Sequence, residues 1–247
     1  MEPLVSIIMP VYNADKYIGK SICSVINQSY QNWELLITDD LSNDNTQKIV
    51  QEYCNKDSRI KLFVNEENGG AGVARNNSIR HAKGRFIAFL DADDQWLSEK
   101  LAKQINFMLT NKYAFTFTAY QKLEGEERKG IVTPPSSTTY KKLLSSNVIG
   151  CLTAVYDTKI LGKQYMPLIR KRQDMGLWLN ILKQVPEAYS LPNVLALYRV
   201  DSGMTQNKLE VLKWQWLFYR KVVKLNVFEA TCHFSIYAVK GFLKHSI

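Results

Sequence analysis

Apolar runs alternate with helical spacing through the first hundred residues. Residues 4–9 form a short apolar run that ends at Pro10. Ile18, Ile22, Val25 and Ile26 then recur three and four positions apart, as one face of a helix requires. Residues 33–38 read as a second strand that runs into Asp39-Asp40. Ile49, Val50, Tyr53 and Cys54 share the next helical face, with Asp44 and Gln47 suiting its first turn. Residues 60–64 predict a third strand, 65–72 a glycine-rich loop and 72–82 a helix. A fourth strand over 85–90 ends at Asp91-Ala92-Asp93-Asp94, and Leu101, Ile105, Met108 and Leu109 make another amphipathic face. Strands and helices in this alternation predict βαβ units around a parallel sheet, an α/β fold.

Beyond residue 112 the pattern loosens. Residues 114–119, 152–156 and 195–200 are strand-like, and 175–182 is helical. The polar stretch 124–137, with Gly125, Gly130, Pro134 and Pro135, predicts a loop or hairpin. From 207 to 245 Lys and Arg mix with Trp214, Trp216, Phe218, Tyr219, Phe228, Phe234, Tyr237 and Phe242. The expected division is a single domain over 1–206, regular through 1–110 and looser over 111–206, and a C-terminal helical extension over 207–247.

Composition narrows the class. In 247 residues, 46% are hydrophobic, which supports a sizeable core and excludes wholesale disorder. No apolar run reaches the roughly 18 residues of a spanning helix. Residues 1–13 hold neither a basic leader nor a small-residue cleavage site, so they are expected to form the first strand rather than a secretory signal. Four dispersed cysteines and three dispersed histidines argue against structural zinc or a disulfide framework, and the default compartment is a reducing cytosol. The net charge of +9 is unevenly placed: residues 1–100 carry 11 Lys and Arg against 14 Asp and Glu, residues 101–247 carry 21 against 9. A basic half can face an anionic membrane or a phosphorylated substrate, or simply be solvated. No nucleic-acid-binding module is present, so nucleic acid is not an expected partner.

In open parallel sheets ligands bind beyond the carboxyl ends of the strands. Those ends here carry residues 10–13, 39–40, 65–72 and 91–94, a clustering that folding alone does not explain. Alternate side chains of an extended segment point the same way, so Asp91 and Asp93 can face one site. Their repulsion would be relieved by a hard divalent cation, Mn²⁺ or Mg²⁺, which could in turn hold a diphosphate. The plain alternative is an acidic turn capping the helix over 98–109. Asp40 can accept the N3–H of a uracil while Tyr12 offers a flat stacking face; turn chemistry and helix capping would also account for residues 39–44. Arg75, one turn into its helix, can reach a base or a diphosphate, or lie on the surface. The segment Asn68-Gly69-Gly70-Ala71-Gly72 allows close backbone approach but lacks the Lys-Ser/Thr of a P-loop.

Residues Val5-Ser6-Ile7-Ile8-Met9-Pro10-Val11-Tyr12-Asn13, Asp39-Asp40-Leu41-Ser42-Asn43-Asp44, Asn68-Gly69-Gly70 with Ala74-Arg75-Asn76, and Phe89-Leu90-Asp91-Ala92-Asp93-Asp94, in this order and spacing, resemble glycosyltransferase family 2. The resemblance runs through residues 4–110, with Gln173-Asp174 and Tyr198-Arg199-Val200 as later echoes. It implies an inverting enzyme of GT-A fold, a Rossmann-like, mainly parallel mixed sheet flanked by helices, with 1–206 as the catalytic domain, 1–110 its nucleotide-sugar-binding part and 111–206 its acceptor-binding part. It implies that Pro10, Tyr12, Asp40 and Arg75 hold uridine, that Asp91 contacts ribose or metal, and that Asp93 is the main metal ligand. Asp174 corresponds to the general base, although as the first residue of a helix it can also be a plain N-cap. Gln173 stands where relatives carry an acidic residue, and Asp201 where many place a metal-binding His.

The expected reaction moves a hexose, with UDP-Glc or UDP-Gal as donor, to a lipid-diphosphate-linked saccharide in bacterial surface polysaccharide assembly. It would take place in the cytoplasm or peripherally at the inner membrane face. Arg170, Lys171 and Arg172 can meet the acceptor's diphosphate or solvate their loop. Lys208, Lys213, Arg220, Lys221, Lys224, Lys240 and Lys244 with the neighbouring aromatics can contact an anionic bilayer or pack on the domain. The rivals are a sugar-phosphate nucleotidylyltransferase, which needs a basic glycine-rich loop near the N-terminus that residues 10–17 do not supply, and a non-catalytic nucleotide-sugar or nucleic-acid binder.

Overall fold

In the computed structural model, which describes residues 2–201 and 208–243, side chains along each early strand point alternately into two cores. Strand β1 (Val5–Val11) sends Val5, Ile7 and Met9 to one face and Ile8 to the other. Strand β2 (Trp33–Asp39) splits Trp33, Leu35 and Ile37 from Leu36 in the same way, the period-2 pattern of a sheet covered on both sides. These strands, β3 (Ile60–Val64) and β4 (Phe86–Phe89) lie parallel in the order β3-β2-β1-β4, connected by α1 (Ile18–Ile26), α2 (Thr46–Lys56) and α3 (Ala71–His81).

A short β5 (Gln95–Trp96) and α4 (Lys100–Asn111) lead into β6 (Phe115–Glu124), which folds back on β7 (Glu127–Val132). Then follow β8 (Ser137–Thr138), α5 (Tyr140–Ser145), β9 (Val155–Asp157), α6 (Thr158–Leu161), α7 (Gln173–Ile181) and β10 (Ala188–Arg199). The ten-stranded sheet continues β4-β9-β6-β10-β5, with β9 antiparallel to β4 and β6, and β6 parallel to β10. The mixed α/β architecture with a mainly parallel first half agrees with the sequence expectation. The stretch 124–137 is a hairpin excursion, as its turn residues suggested.

Three expectations need correction. β1 does not stop at Pro10 but runs to Val11. The carbonyl of Ile8 bonds to Leu90 N on the β4 side, and that of Val11 to Asp40 N on the β2 side. The missing N–H of Pro10 therefore faces the β4 side, where pairing ends at Ile8, while the ladder to β2 runs on unbroken to Val11. Residues 152–156 are not one strand: Cys151–Thr153 form a 3₁₀ turn, with Thr153 Oγ1 donating 2.7 Å to the Gly150 carbonyl, before β9 begins. The short strand expected over 195–200 is the end of the twelve-residue β10, whose pairing with β6 shifts register on either side of Val194.

The C-terminal segment, α8 (Lys208–Leu217), a π-helical turn over Phe218–Val223 and α9 (Val227–Leu243), packs on the α7 side of the sheet. Phe218, Tyr219 and Ala230 are buried there, and Tyr219 Oη donates to the Leu144 carbonyl at 2.5 Å. Part of the aromatic content is thus core. Lys244 lies outside the described residues.

Candidate active site

Tyr12, Asp40 and Asp91 sit just past the ends of β1, β2 and β4, Pro10 lies next to last in β1, and Arg75 lies on α3. Asn13 and Leu41 hold left-handed backbones, at φ 47° and 64°, directly after β1 and β2. Asn tolerates that region and Leu does not, so Leu41 must be held. Buried Asp39 accepts Ser42 N at 2.8 Å and Ser42 Oγ at 2.5 Å. Ser42 Oγ accepts Asn13 N at 2.9 Å, and Asn13 Oδ1 accepts Asn43 N at 2.9 Å. Thr46 Oγ1 adds a bond from Ala14 N at 2.8 Å. The two loops are stitched into one surface from which Tyr12 projects, 52% exposed, while Pro10 stays buried in the strand.

Asp40 has a different surrounding from the one its motif suggests. It is 3% exposed, and its Oδ1 accepts Asn65 Nδ2 at 2.7 Å and Gly69 N at 3.0 Å while Oδ2 accepts Gly70 N at 2.7 Å. Helix α3 begins behind Gly70 (φ 82°) without a side-chain cap of its own. Asp40, reaching across from β2, supplies the anionic cap that a helix N-terminus favours. A carboxylate offers about four acceptor positions, so one on Oδ2 is left for a base.

Helix α3 in turn presents Arg75, which is buried rather than on the surface. Its Nη2 donates to Asp91 Oδ1 at 2.5 Å and its Nη1 to Gln173 Oε1 at 3.4 Å. Burial works against its charge, but Asp91 above all, with smaller contributions from Cys151 and Asp174, outweighs burial and raises its pKa. Nearby Asn76 clamps the chain before α7, donating 2.9 Å to the Met166 carbonyl and accepting Met166 N at 2.7 Å. Asp174 stands in the first turn of α7, half-buried, its Oδ2 accepting Asn147 Nδ2 at 3.3 Å. Gln173 lies against Gly72, where an added Cβ would come within 3.2 Å of its side chain. Arg75 and Gln173 therefore join the glycine loop, the acidic turn and Asp174, drawn from both halves of the chain.

The acidic turn is fixed from behind. Asp94 is buried and accepts Arg199 N at 2.8 Å; Arg199 Nε donates to the Asp93 carbonyl at 3.1 Å, and Ser21 Oγ to that of Ala92 at 2.7 Å. Burial, then the charges of Asp93 and Asp91, push the Asp94 carboxyl well above the usual range. Asp201 pairs with Arg199 Nη1 at 3.3 Å and accepts Gly125 N at 3.2 Å. Among the described residues no three His, Cys, Asp or Glu side chains converge as a ready metal cage. Asp91 and Asp93 nonetheless offer hard oxygens in a field of like charge. They fit a cation that takes one or two carboxylates and completes its shell from phosphate and water.

Several site residues had no expected role. Cys151, on the 3₁₀ turn, lies within electrostatic reach of Arg75, Asp91 and Asp174, and its thiol is pushed well up by burial. Asn147 and Cys151 come from irregular chain that carries no pattern. Tyr198 and Arg199, noted in the sequence only as an echo of the family, also follow the strand-end rule that exposed Asp91. Among the basic residues at 170–172, Lys171 pairs with Glu210 at 2.8 Å, and Arg172 Nη2 donates to Tyr237 Oη at 2.5 Å. Two surface hollows of about 350 Å³, one bordered by Phe107 and Asn193, the other by Leu168 and Lys221, include none of the candidate site residues.

The sequence profile of Glycosyl transferase family 2 matches residues 6–157, well over half of the chain. This chain belongs to glycosyltransferase family 2. Among its relatives, TuaG of Bacillus subtilis (strain 168), a glycosyltransferase named for teichuronic acid biosynthesis, is 42% identical over 96% of this chain and 95% of its own. WfgD of Escherichia coli, a UDP-Glc:α-D-GlcNAc-diphosphoundecaprenol β-1,3-glucosyltransferase, is 43% identical over 98% and 95%. The fold is that of S. aureus TarS 1–349 in complex with UDP, with TM-score 0.69, 23% identity, and 95% and 70% of the two chains covered. It is also that of the Pyrobaculum calidifontis mannosyltransferase PcManGT in complex with GDP-Man and Mn²⁺, with TM-score 0.70, 16% identity, and 96% and 70% covered. This family 2 enzyme is thus a GT-A glycosyltransferase, which sets aside nucleotidylyl transfer and a purely binding role.

Proposed function

We propose that this enzyme transfers glucose, or another hexose, from a UDP-sugar to a hydroxyl of a lipid-diphosphate-linked saccharide in bacterial surface polysaccharide synthesis, with inversion at the anomeric carbon. The observation that supports this best is the junction at Arg75, which brings the acidic turn and Asp174 into one electrostatic field. The 43% identity to a glucosyltransferase that uses UDP-Glc and a GlcNAc-diphospholipid favours glucose among the hexoses.

In this mechanism Tyr12 stacks on the uracil and the free acceptor position of Asp40 takes its N3–H, with Pro10 shaping the floor. Arg75 holds Asp91 in place toward the ribose. Asp93 with Asp91 would hold Mn²⁺ or Mg²⁺, which when bound supplies neutralising charge to the departing diphosphate. Asp174 takes the proton of the acceptor hydroxyl. The oxygen attacks the anomeric carbon opposite UDP, the carbon–oxygen bond to the β-phosphate breaks with its electron pair leaving on UDP, and an α-linked donor gives a β-glycoside.

The acceptor's lipid would place the enzyme at the cytoplasmic face of a membrane, held peripherally. No helix among the described residues is long and apolar enough to span. The exposed Phe228 and Ile236 of α9, with exposed Lys221 and Lys224 nearby, suit such a contact. Sedimentation with phosphatidylglycerol vesicles, absent with phosphatidylcholine, tests it.

The main test is the shift in melting temperature caused by UDP, GDP, dTDP or CDP, with and without Mn²⁺, on wild type and Asp93→Asn. The reading requires that UDP stabilise the wild type more strongly with Mn²⁺, that Asp93→Asn lose that increment, and that UDP-Glc then support transfer. A preference for GDP or dTDP would remove the uracil role of Asp40.

A further inference from the structure

The proposed donor site uses the β1–β4 side of the cleft, and two aromatic rings on the other side have no part in it. Tyr198 lies one residue before the end of β10 and is 39% exposed. Side chains alternate along a strand, and its neighbour Arg199 turns inward to the Asp93 and Gly125 carbonyls. The Tyr198 ring therefore stands on the opposite face. It meets Tyr120 of β6 edge to face, centroids 5.7 Å apart at 66°, a geometry that leaves flat ring surface uncovered. Tyr120 in turn lies against Gly150, where a Cβ would come within 3.3 Å of its Cε1. Gly150 leads directly into Cys151, the turn that faces Arg75 and Asp174. The two rings thus form a ledge between the acidic turn and the base.

We propose that Tyr198, backed by Tyr120, is the platform on which the acceptor's terminal sugar stacks, setting its hydroxyl before Asp174. One face of a pyranose is lined by C–H groups and its rim by hydroxyls. An exposed tyrosine ring with polar groups around it matches both parts. The sheet order assigns the ledge to the acceptor rather than the nucleoside: Tyr12 follows β1 and Tyr198 is on β10, with β4, β9 and β6 between them. UDP reaches the acidic turn from the β1 side, so a sugar arriving at Asp174 must rest on the β6–β10 side. The proposal rests on the reading of this enzyme as a transferase to a lipid-diphosphate saccharide.

The test is steady-state kinetics of the full chain with UDP-Glc and a synthetic GlcNAc-α-diphosphate lipid. Tyr198→Leu keeps apolar bulk without a flat face. It should raise acceptor KM at least tenfold, leave UDP-Glc KM within twofold and change kcat less than threefold; Tyr198→Phe should restore acceptor KM to within threefold of wild type. A rise confined to UDP-Glc KM, a loss confined to kcat, or an unchanged acceptor KM overturns the ledge. Where Tyr198→Leu fails to fold, as judged by its melting temperature and UDP response, Tyr198→His carries the same comparison with an aromatic plane retained, and Tyr120→Leu the loss. Where wild type transfers nothing to this acceptor, the functional reading fails, and the ledge is judged by saturation-transfer NMR with GlcNAc-1-phosphate. Signals present in wild type and lost in the Tyr198 variant uphold it, and none in wild type sinks it.

Discussion

The two halves of the cleft are built differently. On the donor side, β3-β2-β1-β4 pair in unbroken parallel register, and the loops after β1 and β2 bond to one another through Asn13, Ser42, Asp39 and Thr46. On the acceptor side, β6 and β10 slip register twice, and the side chains at the site come from a 3₁₀ turn and from a helix that starts at left-handed Arg172. A regular ladder fixes its strand ends by itself. An irregular wall has to be held by side chains from elsewhere, and Arg75 and Asn76 of the donor side, which bond Gln173 and Met166, and α8–α9 of the extension do this. The rigidity of the second half is borrowed from its neighbours.

The largest expected effect separates the halves by function. Asp174→Asn removes the proton acceptor while keeping the bond geometry to Asn147 close to that of the wild type. General-base loss costs about 10²- to 10⁴-fold, and we expect about 10³-fold in kcat with UDP affinity unchanged, since the hydrogen bond of Asp174 comes from Asn147 and from no residue of the uridine side. Equal loss of UDP binding, measured by calorimetry, would show that the halves are not separable.

The next effect sits at the seam. Lys100 of α4 is fully buried, donating to Gln104 Oε1 and, at 3.4 Å, to the Thr153 carbonyl, with its ammonium 4.7 Å over the Trp96 ring. Burial without a carboxylate lowers its pKa to about 7. The unfolded chain keeps this proton to its ordinary value near 10.5, so between pH 7 and 10.5 it binds more protons than the native one. Stability from this group is complete above pH 10.5, falls as pH drops through that window, and levels off below about pH 7. From pH 9.5 to pH 7 the loss is about 3 kcal/mol. Lys100→Met should abolish it, read as the difference between the two proteins' denaturation curves, which cancels the thiols and tyrosines they share. Parallel pH profiles would mean that water or a counter-ion reaches the amine.

Asp40→Asn probes the donor half alone. The amide has one acceptor oxygen in place of two, and Gly69 N–H or Gly70 N–H then loses its partner. An unsatisfied buried donor costs about 1–3 kcal/mol, so a loss near 2 kcal/mol is expected, with weaker UDP binding because α3 and Arg75 shift together. Unchanged stability with lost UDP affinity would return Asp40 to a purely base-reading role.

How far each half could be read follows the same divide. Strand ends are visible in a sequence because an apolar run stops at polar residues, and Asp40, Asp91 and Asp93 were singled out that way, while Arg75 was singled out one turn into the helix behind the glycine loop. Pro10 misled because a proline is harmless where the neighbouring strand has already ended. The carboxylate of Asp40 was assigned to a base from the motif, whereas three of its acceptor positions serve Asn65 and the glycine loop, a contact made only in three dimensions. Cys151 and Asn147 left no trace, since irregular segments are placed by what they touch and not by their own period. Lys100 escaped because a lysine on an amphipathic helix is read as solvent-facing. Asp174 was legible only through family resemblance.

The smallest effect decides whether the extension belongs to the acceptor wall or only covers it. Arg172, the left-handed residue before α7, has no side-chain cap to its own helix, and its guanidinium donates to Tyr237 Oη at 2.5 Å and lies 5.5 Å from that ring's centroid. Tyr237→Phe keeps the ring and deletes one hydrogen bond at a half-buried place, a loss of about 1 kcal/mol or less. Packing alone would lower the melting temperature by a degree or two and leave turnover untouched. If α9 instead sets the residue from which α7 starts, Asp174 moves with it, and misplacement by a fraction of an ångström is felt in rate before it is felt in stability. The expected result is a two- to fivefold fall in kcat with UDP affinity unchanged. A melting shift with no change in kcat would confine borrowed rigidity to Arg75 and Asn76.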